Sequence, residues 1–232
     1  MAASALIGHT GFVGSNLARQ MQFDEFYNSK NIDDIRGREF DLVVCAGAPG
    51  AKWRANADPD ADGASVKGMA WALCDVETKR LVLISTVDAI NPVDAYGILR
   101  GMLEEFVKDA WENTCVIRLP ALFGPGMKKN ALYDLMTAQR LAEIAPNASY
   151  QWYPLRRLGA DIARIRESGK RVVNITSAPI MMDAIRARFF PRLVIGSWRD
   201  DAPIYNVSGD PDYSLTRAEV FAEMEAFLAG NA

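Results

Sequence analysis

Apolar positions along this chain fall into two kinds of run, and their order sets the expected fold. Ala5-Leu6-Ile7 is a short apolar strand ending in a glycine-rich turn, after which Phe12, Val13, Leu17, Ala18 and Met21 recur close to helical spacing up to Met21. Asp24 to Tyr27 reads as a short second strand, and Ile32 to Arg38 as a helical turn. Asp41 to Ala46 and Arg80 to Ser85 are continuous apolar runs, the pattern of parallel strands buried on both faces. Asp58 to Thr78 between them has the length of a helix. Tyr96 to Trp111 carries Ile98, Leu99, Met102, Leu103, Phe106 and Val107 on a helical repeat and leads into the strand Thr114 to Leu119. This βαβαβ alternation predicts the α/β class, with a doubly wound parallel sheet and right-handed crossovers.

Beyond Gly124-Pro125-Gly126 the pattern changes to aromatic and basic loops, with a helix expected over Ala131 to Ile144 and a strand over Arg171 to Ile175. Trp152-Tyr153-Pro154 reads as packing. Helices over Met181 to Phe190 and Leu215 to Leu228 close the chain, the second with Ser214 as N-cap and Glu219 inside it. The expected division is a core over 1–125 and a small lobe over 126–232, interleaved with the core as one compact unit.

Composition narrows the partners. With 232 residues, half of them apolar, the chain can bury a full core. A formal net charge of −3 leaves no basic excess of the kind that draws proteins to nucleic acid or anionic lipid, so a small-molecule partner is expected, with neither nucleic acid nor membrane. No apolar run reaches the roughly 18 residues that cross a bilayer, and Met1 to Ile7 reads as a strand rather than a leader. Cys45, Cys74 and Cys115 are an odd number without motif spacing, each in an apolar stretch; they read as buried thiols in a reducing cytoplasm. No metal-ligand set is expected.

The glycine-rich turn carries the first candidate chemistry. Gly8, Gly11 and Gly14 stand three apart, directly after a strand and before a helix, where they allow a tight turn and close approach of a pyrophosphate to a helix N-terminus. A plain tight βα turn is the simpler reading; the strand and helix context favours nucleotide binding. His9, the single histidine, has no partner spaced for catalysis.

Four motifs, in order, resemble the extended branch of the short-chain dehydrogenase/reductase superfamily, which holds nucleotide-sugar epimerases, dehydratases and dehydrorhamnose-reductase-like enzymes. The first is Gly8-His9-Thr10-Gly11-Phe12-Val13-Gly14, with Thr10 before the second glycine as is usual and His9 unusual. The second, Val44-Cys45-Ala46-Gly47-Ala48, resembles the small-residue strand end beneath adenine and ribose. The third is Ile84-Ser85-Thr86, where the family places a catalytic serine or threonine. The fourth, Tyr96-Gly97-Ile98-Leu99-Arg100, resembles the Y-x-x-x-K signature, and Ile117 to Gly126 resembles the nicotinamide-side strand and loop, with Pro120 and Leu122 toward the cofactor. Together they cover roughly residues 1 to 130.

The resemblance implies a Rossmann-type dinucleotide-binding core with a substrate-side lobe. It implies an NAD(P)-dependent oxidoreductase or epimerase acting on a sugar-like or nucleotide-sugar carbonyl or alcohol, with Tyr96 as general acid or base and Thr86 or Ser85 holding the substrate oxygen. It also implies dimerisation, as a possible homodimer, through the helices over 58–78 and 96–111. Arg100 stands where the family has lysine: it keeps a positive charge near Tyr96 but is never deprotonated, so a lysine-type proton relay through it is excluded. Only nine residues separate Thr86 from Tyr96, a shortened substrate rim. These two departures keep open a second reading, a catalytically silent dinucleotide-binding sensor or scaffold.

Cofactor choice turns on the residues after the second strand, Asn28-Ser29-Lys30, where an acid that would grip a ribose 2′-hydroxyl is missing. Lysine and serine there suit the 2′-phosphate of NADP; Asp33 or Asp34 serves NAD if the strand ends later. Lys128-Lys129-Asn130 are candidates for a substrate phosphate or carboxylate, against an ordinary solvent-facing role. Trp53 and Arg54, beside Lys52, are candidates to line the same cleft.

Overall fold

The computed structural model describes residues 3–230. In chain order the elements begin β1 (Ala3–Ile7), α1 (Phe12–Leu17), β2 (Glu25–Tyr27), β3 (Glu39–Cys45), α2 (Lys52–Ala57), α3 (Pro59–Leu73), β4 (Glu77–Thr78) and β5 (Leu81–Thr86). There follow α4 (Ala95–Ala110), β6 (Thr114–Leu119), β7 (Ala121–Phe123), α5 (Ala131–Thr137), β8 (Ser149–Tyr150) and β9 (Trp152–Pro154). The chain continues with α6 (Leu158–Ser168), β10 (Val172–Asn174), β11 (Ile180–Met181), α7 (Met182–Phe189) and α8 (Arg217–Ala229). Of the strand expected over Met1 to Ile7, Met1 and Ala2 lie outside the described residues.

Two units divide these elements, one running to Leu119 and resuming at Arg156–Asn174, the other comprising Pro120–Leu155 and the chain from Ile175. The expected boundary at 125/126 therefore moves: the chain leaves the first unit at Pro120 and returns to add α6 and β10.

The first unit is the parallel sheet, in the order β10-β6-β5-β3-β1-β2, with β4 pairing the start of β3. Its strands are buried on both faces, as their apolar runs require: Ala5, Leu6, Val43, Val44, Leu81, Val82, Val116 and Ile117 are fully covered. Because β2 lies on one side of β1 and β3 on the other, the order reverses at β1/β3, and the crevice beyond the carboxyl ends of such a pair is where open α/β sheets bind ligands.

Several expected elements differ in extent. α1 ends at Leu17 rather than Met21, giving way to turns. The stretch over 58–78 holds α3 to Leu73 and then β4, and is preceded by the short α2. α6 falls in a region read as loops; its large apolar side chains that are buried are only Leu158, Ile162 and Ile165, a stripe narrow enough to be masked by the charged residues around it. Cys74, expected to be buried, is exposed, while Cys45 and Cys115 are buried as expected.

In the second unit β7 pairs β9 in parallel and β8 pairs β11 antiparallel. Trp152 and Tyr153 are buried on β9, the packing role read from the sequence, and Gln151 satisfies the backbone of Ser177 and Val207 from inside the fold. α5 stops at Thr137, short of Ile144, because Ala138 and Arg140 both adopt left-handed backbone (φ 51° and 46°). α8 starts from Thr216, not Ser214: Thr216 and Glu219 form a reciprocal capping box.

Candidate active site

At the β1/β3 reversal the backbone comes too close for any side chain larger than hydrogen at two glycines. Gly8 sits at φ +84°, and a Cβ there would lie 2.4 Å from the Ala46 carbonyl oxygen at the end of β3; a Cβ on Gly14 would lie 2.1 Å from the Gly8 carbonyl oxygen. Gly11 differs: its φ is −77°, it is exposed, and a Cβ would meet only the Gly8 carbonyl oxygen at 3.2 Å. Two glycines thus serve the turn itself, whereas the third leaves a backbone cradle that a side chain would fill, which fits a dinucleotide pyrophosphate. Thr10 is exposed beside Gly11, and Phe12 and Val13 open α1, which has no capping side chain at Gly11. With only six residues in α1, the loop amides rather than a long helix dipole must supply most of the attraction for an anion.

His9 ties this loop to the end of β2. Its Nδ1 lies 3.0 Å from the Tyr27 carbonyl oxygen and its Nε2 lies 3.4 Å from Asn28 Nδ2, contacts that the Nδ1-protonated neutral ring satisfies together, and its ring meets Phe26 edge-on. Asn28 also accepts from the Lys30 backbone N–H at 2.8 Å, leaving Ser29 and Lys30 exposed on a turn just past β2. The end of β2 falls at Tyr27, as the sequence reading assumed, and Asp33 and Asp34 belong to a separate 3₁₀ turn. At the end of β3, Cys45 faces inward, its Sγ 3.4 Å from Met69 Sδ and its thiol pushed up to about 11 by burial. Only its backbone is available to a ligand, beside partly buried Ala46, Gly47 and Ala48.

One strand on, Ser85 and Thr86 at the end of β5 face opposite ways, as successive strand residues must. Ser85 donates to Glu104 at 2.5 Å, and Arg118 grips the same carboxylate through two nitrogens, so the Ser85 hydroxyl, one of the two alternatives read for holding the substrate oxygen, is spent in a structural network. Thr86 instead donates to Asp88 Oδ2 at 3.0 Å and accepts from the Asp88 N–H at 3.2 Å, with its hydroxyl near enough to the Tyr96 phenol to act on its ionisation. Burial raises the Tyr96 pKa; the Arg100 charge opposes this, Asp88 adds to it, and the Thr86 hydroxyl and Lys52 pull it down.

Tyr96 is held at the first turn of α4 by a cluster that the sequence reading did not assemble. Asp94 caps α4 through the Gly97 N–H at 3.0 Å; Asn56 of α2 accepts from the Tyr96 N–H at 3.0 Å and donates to Asp94 at 3.2 Å. Gly97 lets α4 pack against the 3₁₀ turn after β5, since a Cβ there would lie 2.5 Å from the Asp88 carbonyl oxygen. Lys52, also on α2, forms ion pairs with Asp88 and, at 3.0 Å, with Asp94. Trp53 and Arg54 beside it are exposed.

Arg100 does not lie open to a ribose. Its guanidinium is buried, bonds both carboxylate oxygens of Asp62 on α3 and the Pro49 carbonyl, and stacks over the Tyr96 ring with its central carbon 4.2 Å from the centroid. It supports the tyrosine as a packed cation. The Lys52–Asp88 and Asp62–Arg100 ion pairs could not be read from spacing, because their partners stand 36 and 38 residues apart.

In the second unit, Asn130 is not free for a substrate: its Oδ1 caps α5 through Tyr133 N–H at 3.0 Å and its Nδ2 donates to the Leu122 carbonyl at 2.8 Å. Leu122 pairs with Tyr153 on β9, and Pro120 begins this unit. Lys128 and Lys129 are exposed by surface area, with partial loss of hydration lowering the Lys129 pKa.

No family model matches the chain, and no curated protein matches it in sequence. Solved structures do match in fold. The dTDP-4-dehydrorhamnose reductase of Bacillus anthracis, in complex with NADP, aligns over 99% of this chain and 100% of its own at TM-score 0.69 and 13% identity. The UDP-N-acetylglucosamine 4-epimerase of Methanobrevibacter ruminantium, in complex with UDP-N-acetylmuramic acid, aligns over 98% and 96% at TM-score 0.69 and 13% identity. The Bordetella bronchiseptica enzyme WbmH, in complex with NAD+, aligns over 91% and 90% at TM-score 0.68 and 14% identity. At these identities the likeness is one of architecture: this chain has the Rossmann-type α/β fold of these structures.

Proposed function

We propose that this protein is an NAD(P)-dependent oxidoreductase or epimerase acting on a sugar-like or nucleotide-sugar carbonyl or alcohol. The observation that carries the reading is the β1/β3 strand reversal lined by Gly8, Gly11 and Gly14, in the same unit as Thr86 at the carboxyl end of β5 and Tyr96 in the first turn of α4 against the Arg100 guanidinium. The cofactor supplies or accepts a hydride when bound. Gly8 to Gly14 hold its pyrophosphate, the backbone of Cys45 to Ala48 borders the adenosine side, and Pro120 and Leu122 are carried over from the resemblance alone. Thr86 orients a substrate oxygen, and Tyr96 gives that oxygen a proton or takes one from it.

Ser29 and Lys30 support NADP over NAD, because they present a hydroxyl and an ammonium where a 2′-phosphate would sit and no acid stands at the end of β2. Lys128 and Lys129 remain candidates for an anionic substrate group. Unpaired Cys45, Cys74 and Cys115 support a reducing cytoplasm, and among the described residues no helix is long and apolar enough to cross a membrane. The net charge of −3 supports a small-molecule partner over nucleic acid. Exposed Trp71 on α3 and Ile98 and Met102 on α4 support a homodimer through those helices.

Calorimetric titration with NADPH and NADH tests the cofactor assignment. The parent should bind, Gly11→Ala should bind at least tenfold more weakly with its fold intact, and Lys30→Glu should weaken NADPH more than NADH. Absence of binding by the folded parent overturns the reading; equal weakening by Lys30→Glu overturns the preference for NADP.

A further inference from the structure

His9 is the chain's single histidine, and no step of hydride transfer uses it. Its ring is fixed all the same. The Tyr27 carbonyl oxygen can only accept, and it receives the Gly8 N–H at 2.7 Å and His9 Nδ1 at 3.0 Å, so the ring carries a proton on Nδ1. In the neutral ring Nε2 is then an acceptor, and Asn28 Nδ2 faces it at 3.4 Å. The other half of the same amide agrees, because Asn28 Oδ1 accepts from the Lys30 N–H at 2.8 Å. Turning the amide over would set donor against donor at Lys30 and acceptor against acceptor at His9. Asn31 closes the turn from its far side: its Oδ1 accepts from the Asn28 N–H at 2.8 Å and its Nδ2 donates to the Phe26 carbonyl at 3.1 Å. The Ser29 hydroxyl and the Lys30 ammonium, both exposed, make no hydrogen bond or ion pair among the described residues.

We propose that His9 selects the cofactor at one remove: by holding the Asn28 amide it fixes the Ser29-Lys30 turn in the form that meets a 2′-phosphate, so that preference for NADP over NAD depends on a residue of the glycine loop. The inference rests on the NAD(P)-dependent reading and deepens it. One ring joins the two places where the adenosine half of the cofactor would be held. Through Nδ1 it ties the glycine loop to the carbonyl at the end of β2, and through Nε2 and Asn28 it ties that strand end to the turn carrying Lys30. With the amide released, the turn gains conformations, and a 2′-phosphate must order it again on binding. NADH has no group at that position and makes no demand on the turn. His9 and Asn28 are positioning residues, since they act through Ser29 and Lys30.

Two readouts test this, the first without cofactor. In the free protein the nitrogen-15 signals of the single imidazole need no assignment, and they should show the neutral ring protonated on Nδ1. A neutral ring protonated on Nε2 overturns the proposal. The second readout is calorimetric titration with NADPH and NADH. His9→Asn keeps a donor for the Tyr27 carbonyl but offers Asn28 no acceptor; it should raise the Kd for NADPH on the order of tenfold and leave that for NADH within about twofold. Asn28→Ala, which leaves the bond from His9 to Tyr27 in place, should give the same split. Because His9 acts through Lys30, adding His9→Asn to Lys30→Met should weaken NADPH binding no further than Lys30→Met alone. Equal weakening of both nucleotides by His9→Asn, or additive losses in the double variant, overturns the proposal and leaves His9 a packing residue while the NAD(P)-dependent reading stands. A parent that binds neither nucleotide overturns that reading and the selective role with it.

Discussion

At the scale of single residues, the three loop glycines are not equivalent, and their substitutions separate folding from binding. Gly8→Ala forces a side chain into left-handed backbone and against the Ala46 carbonyl; it should cost about 2–3 kcal/mol or more and lower the midpoint of urea unfolding. Gly11→Ala should leave that midpoint within about 0.5 kcal/mol of the parent. Equal destabilisation by the two would contradict the division of labour. Arg100 provides a second contrast. Arg100→Met removes one partner of a buried ion pair and leaves Asp62 charged and uncompensated, a change that typically costs about 3–5 kcal/mol. Adding Asp62→Asn should recover a large part of that loss, and unchanged stability in the single variant would show that the pair is not buried as described. Arg100 also shows where reading from spacing reached its limit. Its place four residues after Tyr96 was legible, and the stacking over the ring follows from that spacing; the capture of its guanidinium by Asp62 does not, because it depends on how α3 packs beside α4.

Elements with strong local signals were legible, and those made by tertiary contact were not. The apolar runs of β3, β5 and β6 and the repeat on α4 sit within one or two residues of where the pattern put them, since burial on both faces of a sheet leaves little choice of composition. The start of α8 was misplaced by two residues although the Thr216/Glu219 pair was present to be read. Thr216→Ala should lower stability by about 1 kcal/mol, seen as a reduced Tm, while Ser214→Ala should have a smaller effect; the reverse order would restore the earlier assignment of the cap. Of the candidate site, the glycine loop, Thr86 and Tyr96 were legible as local motifs. The role of α2 was not: Lys52 and Asn56 gain meaning only because α2 lies against the first turn of α4, and nothing within either segment encodes that approach.

For the molecule as a whole, the sheet order and the glycine-lined reversal define what can be asked of it in solution. One consequence concerns alkaline pH. Tyr27 donates to the Glu25 carboxylate and its pKa is pushed up to about 12, first by burial and then by that bond. The unfolded phenol ionises near 10, so between pH of about 10 and about 12 the unfolded state loses a proton that the folded state keeps, and stability falls as pH rises through that window. Tyr27→Phe should flatten the fall in a pH series of urea midpoints, whereas an unchanged slope would place its cause elsewhere. Function itself is tested most directly by following NADPH absorbance at 340 nm with a panel of dTDP- and UDP-linked 4-keto-sugars, for the parent and for Tyr96→Phe. The account predicts substrate-dependent oxidation of NADPH by the parent and a loss of on the order of a hundred- to ten-thousand-fold in kcat in Tyr96→Phe, with the Kd for NADPH unchanged. Equal turnover by the two proteins would contradict the role given to Tyr96, and NADPH binding by the parent with no turnover on any member of the panel would contradict the account and leave a dinucleotide-binding protein without this chemistry.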